Sequence, residues 1–158
     1  GGGGGGGNKS RYGDGSVRPV TVAMVAGAQP APDEQYEIDG RQVSRVSIIG
    51  RVHLVAGQQT ESTVMFKLED GTGAVDCMHY IDDPQSQVAT SLKNDILVPN
   101  RLVRVIGTLR QFGDKRSVRV SKALLADGDQ LTYHLLEIIY SHLSITQGVP
   151  QPQQQQQQ

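Results

Sequence analysis

Seven of the chain's 15 Lys and Arg residues fall within residues 101–122: Arg101, Arg104, Arg110, Lys115, Arg116, Arg119 and Lys122. Only one of its 16 acids, Asp114, lies there, so a segment of formal charge +6 is joined to a remainder of −7 behind an overall −1. Charge segregated in this way marks a polyanion site rather than a generally adhesive surface. The same segment holds Phe112, one of 2 Phe in a chain without Trp, within Gln111-Phe112-Gly113-Asp114. A Gly-Asp step between two runs of alternating apolar residues reads as a hairpin turn, with the ring at its tip, where a core reaches least. An aromatic face flanked by cations can stack on an unpaired base while neutralising the phosphates beside it. The competing reading is a solvated edge hairpin whose Phe folds back onto the body. The segment alone does not separate the two.

Other chemistries find less support. Cys77 and His79 are two apart in an alternating run and share its inward face, but two ligands do not make a zinc site. The histidines, His53, His79, His134 and His142, form no i, i+4 pair. The acidic pairs Asp82-Asp83 and Asp127/Asp129 lack the alternating ligand series of a calcium loop. Gly1–Gly7 leads into no strand and no Lys-Ser/Thr, so it is not a phosphate-binding loop. Ser, His and acid residues fall in turns and on separate strands, which leaves no catalytic triad. The expectation is a binding protein, not an enzyme, with no cofactor and no metal. Cys77, the only cysteine, cannot form an internal disulfide, which fits a reducing compartment. No apolar run is long enough to span a bilayer and the Gly-rich start has no signal-peptide core, so no membrane partner is expected.

The elements that must position the basic hairpin are short strands. Residues 44–55 read as a long first strand in which Gly50 suits a bulge or bend. In 63–69, Val64, Phe66 and Leu68 alternate with Met65, Lys67 and Glu69. Asp70-Gly71 is a hairpin signal, and 74–81 then alternates Val75, Cys77, His79 and Ile81 against Asp76, Met78 and Tyr80. Residues 85–92 suit a short helix or irregular connection, and strands at 102–110 and 116–125 form the basic hairpin. Five strands in this order fit a small Greek-key barrel, and a sandwich would leave two open edges to protect. Asp129 can cap a helix over 130–145 whose apolar positions follow a 3.6 period, closed by Gly148 and Pro150. Its stripe, Leu135, Ile138, Ile139, His142 and Leu143, is wider than a cap on a small barrel uses. Burial on the chain's own barrel and burial against helices of partner chains both remain open, with the second favoured. The expected organisation is a Gly-rich disordered tail (1–17), an extension packing on the barrel (18–43), the barrel (44–126), an assembly helix (129–146) and a Pro/Gln-rich linker (147–158).

Five segments together, SVRPVTVAMV, VSRVSIIGRV, KLEDGTGAVDCMHYID, VRVIGTLRQFGDKRSV and LTYHLLEIIYSHL, resemble the middle subunit of replication protein A, part of the eukaryotic single-stranded DNA-binding heterotrimer. The similarity runs from about residue 18 to 143. It implies a mainly β fold, a five-stranded OB-fold barrel followed by a C-terminal helix. It also implies stacking of bases on Tyr80 and Phe112, phosphate contacts from Lys115 and Arg116, and a helix that bundles with helices of the large and small subunits. The nucleus, and roles in DNA replication, repair and recombination, follow from the same resemblance. Tyr80 stands where the family commonly has Trp and Met78 where a basic residue is frequent, which points to a weaker contact. A Ser-rich N-terminal segment and a winged-helix domain, both usual in the family, have no counterpart in these 158 residues. The residues themselves agree with the resemblance. The binding face of such barrels is the outer surface of strands two and three with the neighbouring loops. Lys67 and Tyr80 face outward there, and Arg119 does so on strand five. The assembly subunit of a related telomere-end-binding complex is the alternative, because barrel and helix would be shared.

Overall fold

Period-two alternation builds the centre of the molecule. The computed structural model describes residues 16–55, 57 and 59–148. Residues 1–15 and 149–158, with the Gly run and most of the Pro/Gln tract including Pro150, lie outside the described residues, whereas Val17 and Gln147, expected in the tails, belong to a strand and to the last helix. Five strands form the barrel: β5 (Arg45–Leu54), β6 (Thr63–Glu69), β7 (Ala74–Tyr80), β8 (Leu102–Phe112) and β9 (Lys115–Leu125). Val64, Phe66 and Leu68 of β6 are buried with Val75 and Cys77 of β7, Val103, Val105 and Leu109 of β8, and Val118, Val120 and Ala123 of β9. Their neighbours in sequence point out, as the pleat requires. β5 pairs antiparallel with β8 through Val46–Arg51 and with β6 through Arg51–Leu54. β6 pairs with β7, β7 runs parallel to β9, and β9 closes back on β8. The ring of pairings is therefore closed and leaves no long free edge.

Closure brings backbones together at two glycines. A Cβ on Gly50 would lie 2.6 Å from the Glu69 carbonyl oxygen, and one on Gly107 would lie 2.3 Å from that of Arg119. Of the bulge or bend read at Gly50, the bulge is absent, since the β5–β8 register runs unbroken from Val46↔Gly107 to Arg51↔Leu102. Gly50 is needed for close approach as β5 passes from one partner to the other. The register shift sits at Ile106/Gly107 instead.

The N-terminal extension contains β1 (Val17–Pro19), α1 (Val22–Ala26), β2 (Gln29–Ala31), β3 (Gln35–Ile38) and β4 (Arg41–Val43). β1 runs parallel beside β5, while β2, β3 and β4 form a separate three-stranded sheet. Asp70 and Thr72 of the β6–β7 turn accept the backbone N–H groups of Val22 and Ala23, which fixes the start of α1. The connection after β7 holds α2 (Gln87–Ser91), capped by Ser86 and continued by a π-helical turn over Leu92–Ile96.

The last helix, α3, spans Gly128–Gln147. Its N-cap is Asp127 rather than Asp129, with a full capping box to Gln130, and Gly148 ends it at φ 69. It packs on β1 and buries His134, Ile138 and Ser141, one helical seam at i, i+4, i+7. Leu135, Leu136, Ile139 and Tyr140 face outward and are exposed. Ile138, expected among the outward residues, is 7% exposed and belongs to the inner seam of α3, which packs on β1. The apolar stripe read from the sequence is thus split between two faces. The inner seam escaped notice because two of its three buried members are His and Ser.

Candidate nucleic-acid interface

Register places the outward side chains of three strands in rows. Met65 lies opposite Met78 and Met78 beside Arg119, while Thr63 lies opposite Tyr80. Lys67 and Asp76 form the next row, continued by Ser117. The Arg119 guanidinium sits 4.9 Å from the centre of the Tyr80 ring, and Tyr80 is 49% exposed. One ring face is thereby held by a cation while much of the residue stays open, a platform suited to a stacked base. The pairing depends on the parallel run of β7 beside β9, some 40 residues apart in sequence (Tyr80 to Arg119), and no local signal announces it.

Further along the same surface, Lys67, Lys115 and Arg116 line a cleft of about 320 Å³ between α1, the β6–β7 pair and the β8–β9 tip, together with Asp76, Asp114 and Gln111. Lys67 is ion-paired to Asp76 at 2.9 Å, with both side chains solvent-accessible. Such surface pairs contribute little, about 0–1 kcal/mol, so a phosphate can compete for the ammonium. Lys115 is exposed at the head of β9. Arg116 is engaged differently. It is half-buried, its Nε donates to Gln111 Oε1 at 3.0 Å, its Nη1 donates to the Ala28 carbonyl at 2.9 Å, and it lies 4.4 Å over the Tyr36 ring. Phe112 is the last residue of β8, paired with Lys115, and the turn itself is Gly113-Asp114. The side chain of Phe112 lies outside the described residues. Gln111, drawn in as a partner of Arg116, was not singled out by its sequence context.

Other groups fall away from this surface. Burial, with Asp76 nearby, pushes the Cys77 thiol well above its ordinary pKa, so it remains a protonated core residue. Among the described residues no three His, Cys, Asp or Glu side chains gather as metal ligands. A roomier groove of about 990 Å³ lies between α2 and β9, but Asp82, Asp83 and Asp95 line it against one cation, Lys122. Its charge has the wrong sign for a polyanion.

The outward face of α3 is the second surface. Leu135, Leu136, Ile139 and Tyr140 are exposed, Leu143 is half-buried, and His142 is exposed with its Nδ1 2.9 Å from Asp39 Oδ2. Burying four such side chains contributes roughly 1.5–3 kcal/mol each.

No family model matches the chain. It is 30% identical over 145 residues to the replication protein A 32 kDa subunit of Xenopus tropicalis, an alignment covering 90% of this chain and 50% of that protein. Replication factor A protein 2 of Schizosaccharomyces pombe is 31% identical over 134 residues, covering 83% of this chain and 44% of that protein. Among solved structures, a chain of a replication protein A heterotrimer bound to single-stranded DNA matches with a TM-score of 0.69 and 25% identity, over 84% of this chain and 99% of that one. Over most of its length the chain is similar to middle subunits of replication protein A. It spans about half the length of the curated relatives it matches. A chain of the Stn1–Ten1 complex of Schizosaccharomyces pombe shares the architecture at a TM-score of 0.67 and 16% identity, which shows the fold alone. The outer face of β6, β7 and β9 and the outward face of α3 are the two surfaces left to account for.

Proposed function

We propose that this chain binds single-stranded DNA as the middle subunit of a replication protein A-like heterotrimer, acting in the nucleus in DNA replication, repair and recombination. The observation that carries the reading is the Tyr80–Arg119 stack on an exposed sheet face, continuous with Lys115 and the cleft at the hairpin tip. One ring contributes roughly 1–3 kcal/mol per stacked base, and the few cations add a salt-sensitive term. Such a site is weak alone. Tethered to the barrels of other subunits it gains effective concentration and extends their footprint. The outward face of α3 supplies the tether by packing against one helix from the large subunit and one from the small. No step of this function calls for catalysis, a cofactor or a metal.

The test is co-expression with the large and small subunits, followed by binding of the purified assembly to oligothymidylate long enough to reach this barrel. A stoichiometric trimer whose affinity falls on Tyr80→Ala supports the proposal. A chain that assembles with a telomere-type large subunit and leaves oligothymidylate affinity unchanged on Tyr80→Ala supports the telomere-end alternative.

A further inference from the structure

The residues assigned to nucleic acid and to assembly lie on different elements, yet one small sheet touches both. At its first end, Tyr36 of β3, only 9% exposed, carries the Arg116 guanidinium of the β8–β9 hairpin 4.4 Å over its ring. The Ala28 carbonyl, just before β2, accepts from Arg116 Nη1 at 2.9 Å. At the other end, the β3–β4 turn reaches α3. Asp39 Oδ2 lies 2.9 Å from His142 Nδ1 and also accepts from Arg18 Nη2. Arg18 is itself 2% exposed in β1, and its Nη1 donates to the Ile38 carbonyl at 2.8 Å. Asp39 holds φ 56, a conformation costly for a residue other than Gly, and these side-chain bonds hold it there. Burial acts to raise the Asp39 pKa, but the hydrogen bonds from His142 and Arg18 outweigh it and leave the carboxyl below its ordinary value, ionised at neutral pH.

Tyr36 and Asp39 are three residues apart, about 10 Å of extended chain. They are joined by the single strand β3, in a sheet that pairs with no barrel strand, while Tyr36, Ile38 and Val43 pack into the common core. We infer that the β2–β4 sheet is a strut that sets the β8–β9 hairpin and α3 relative to each other, so that loosening one anchor loosens the other. Tyr36 is thus a positioning residue for Arg116, and Asp39 for α3. The inference goes beyond the function proposed above: the hairpin that carries Arg116 and the helix that carries the outward apolar face are both set by one sheet.

The test is hydrogen–deuterium exchange of the full chain, recovered alone or with its partners, in the absence of nucleic acid. Tyr36→Leu removes the stack, Tyr36→Phe keeps it, and Asp39→Gly suits the left-handed turn while removing the carboxylate. The expected result for Tyr36→Leu is exchange roughly two- to fivefold faster, the scale set by removing one cation–π interaction, both in residues 111–116 and in α3 around His142. Tyr36→Phe should restore both regions, and Asp39→Gly should speed exchange in both. If each variant speeds exchange only beside its own position, the two anchors are independent and the inference is overturned. Should Tyr36→Leu also speed exchange throughout β5 and β6, Arg116→Lys replaces it, keeping the charge and removing the planar stack, with the same two outcomes. Because no DNA enters the measurement, failure of the proposed function leaves this readout unaffected.

Discussion

Arg116 and Arg119 stand three residues apart on one strand and each stacks on a tyrosine, with opposite consequences. Tyr36 beneath Arg116 is buried, whereas Tyr80 beneath Arg119 is half open to solvent. The first pair is part of the scaffold and the second is available to a ligand. Neutralising Arg119 and Lys115 in the assembled complex should therefore lower the slope of log affinity against log salt, by about 0.7 for each phosphate no longer neutralised. Arg116→Gln should instead loosen the hairpin, which exchange at residues 111–116 would register. His134 makes a separate prediction. It is 1% exposed, and neither ring nitrogen has a well-aligned hydrogen-bond partner. Burial and the nearby Arg104 charge hold its pKa down to about 4 from 6.5, against weaker opposing effects from the Val20 backbone and Asp70. The unfolded chain therefore binds the proton more tightly than the folded one. Stability from this group is complete above pH 6.5 and is lost as pH falls toward 4, by at most about 3 kcal/mol. Urea unfolding midpoints across that range should decline in the wild type and decline less in His134→Leu.

At the scale of elements, α3 serves two faces with different chemistry. Ile138 belongs to the buried inner seam, so Ile138→Ala should destabilise the chain itself, by roughly 2–5 kcal/mol as buried Ile truncations do, in a urea titration. Leu135 and Ile139 belong to the outward side, with Ile139 52% exposed. Leu135→Asp with Ile139→Asp should abolish co-purification with partner subunits while leaving the unfolding midpoint nearly unchanged. Assembly that survives this double substitution would remove α3's outer face from the interface. Sequence periodicity could find the helix but not divide it. His134 and Ser141 carry no hydrophobic signal, so the stripe of aliphatics pointed to the outer face and swept Ile138 along with it.

For the whole molecule, the barrel was legible because its strands alternate over seven to eleven residues, and β6 matches the expected span, Thr63–Glu69. The β2–β4 sheet was not legible. Its strands have three or four residues, with Pro30 inside β2 and Pro32 just after it, and partners far along the chain hold it, such as Arg116 at Ala28 and Tyr36. The cations of the site could be read from composition, but not their division into free and engaged. That division depends on Tyr36, Asp76 and Gln111, which local sequence does not bring near them. Whether the outer face of β6, β7 and β9 holds a single strand can be measured on the assembled complex. Affinity of the assembled complex for oligothymidylate would be followed across a salt series, for wild type and for Tyr80→Ala with Arg119→Gln. The expected result is a loss of roughly 1–3 kcal/mol from the stack and a shallower salt slope, by about 0.7. Equal affinity and equal slope for the two proteins would mean that this face does not hold the strand.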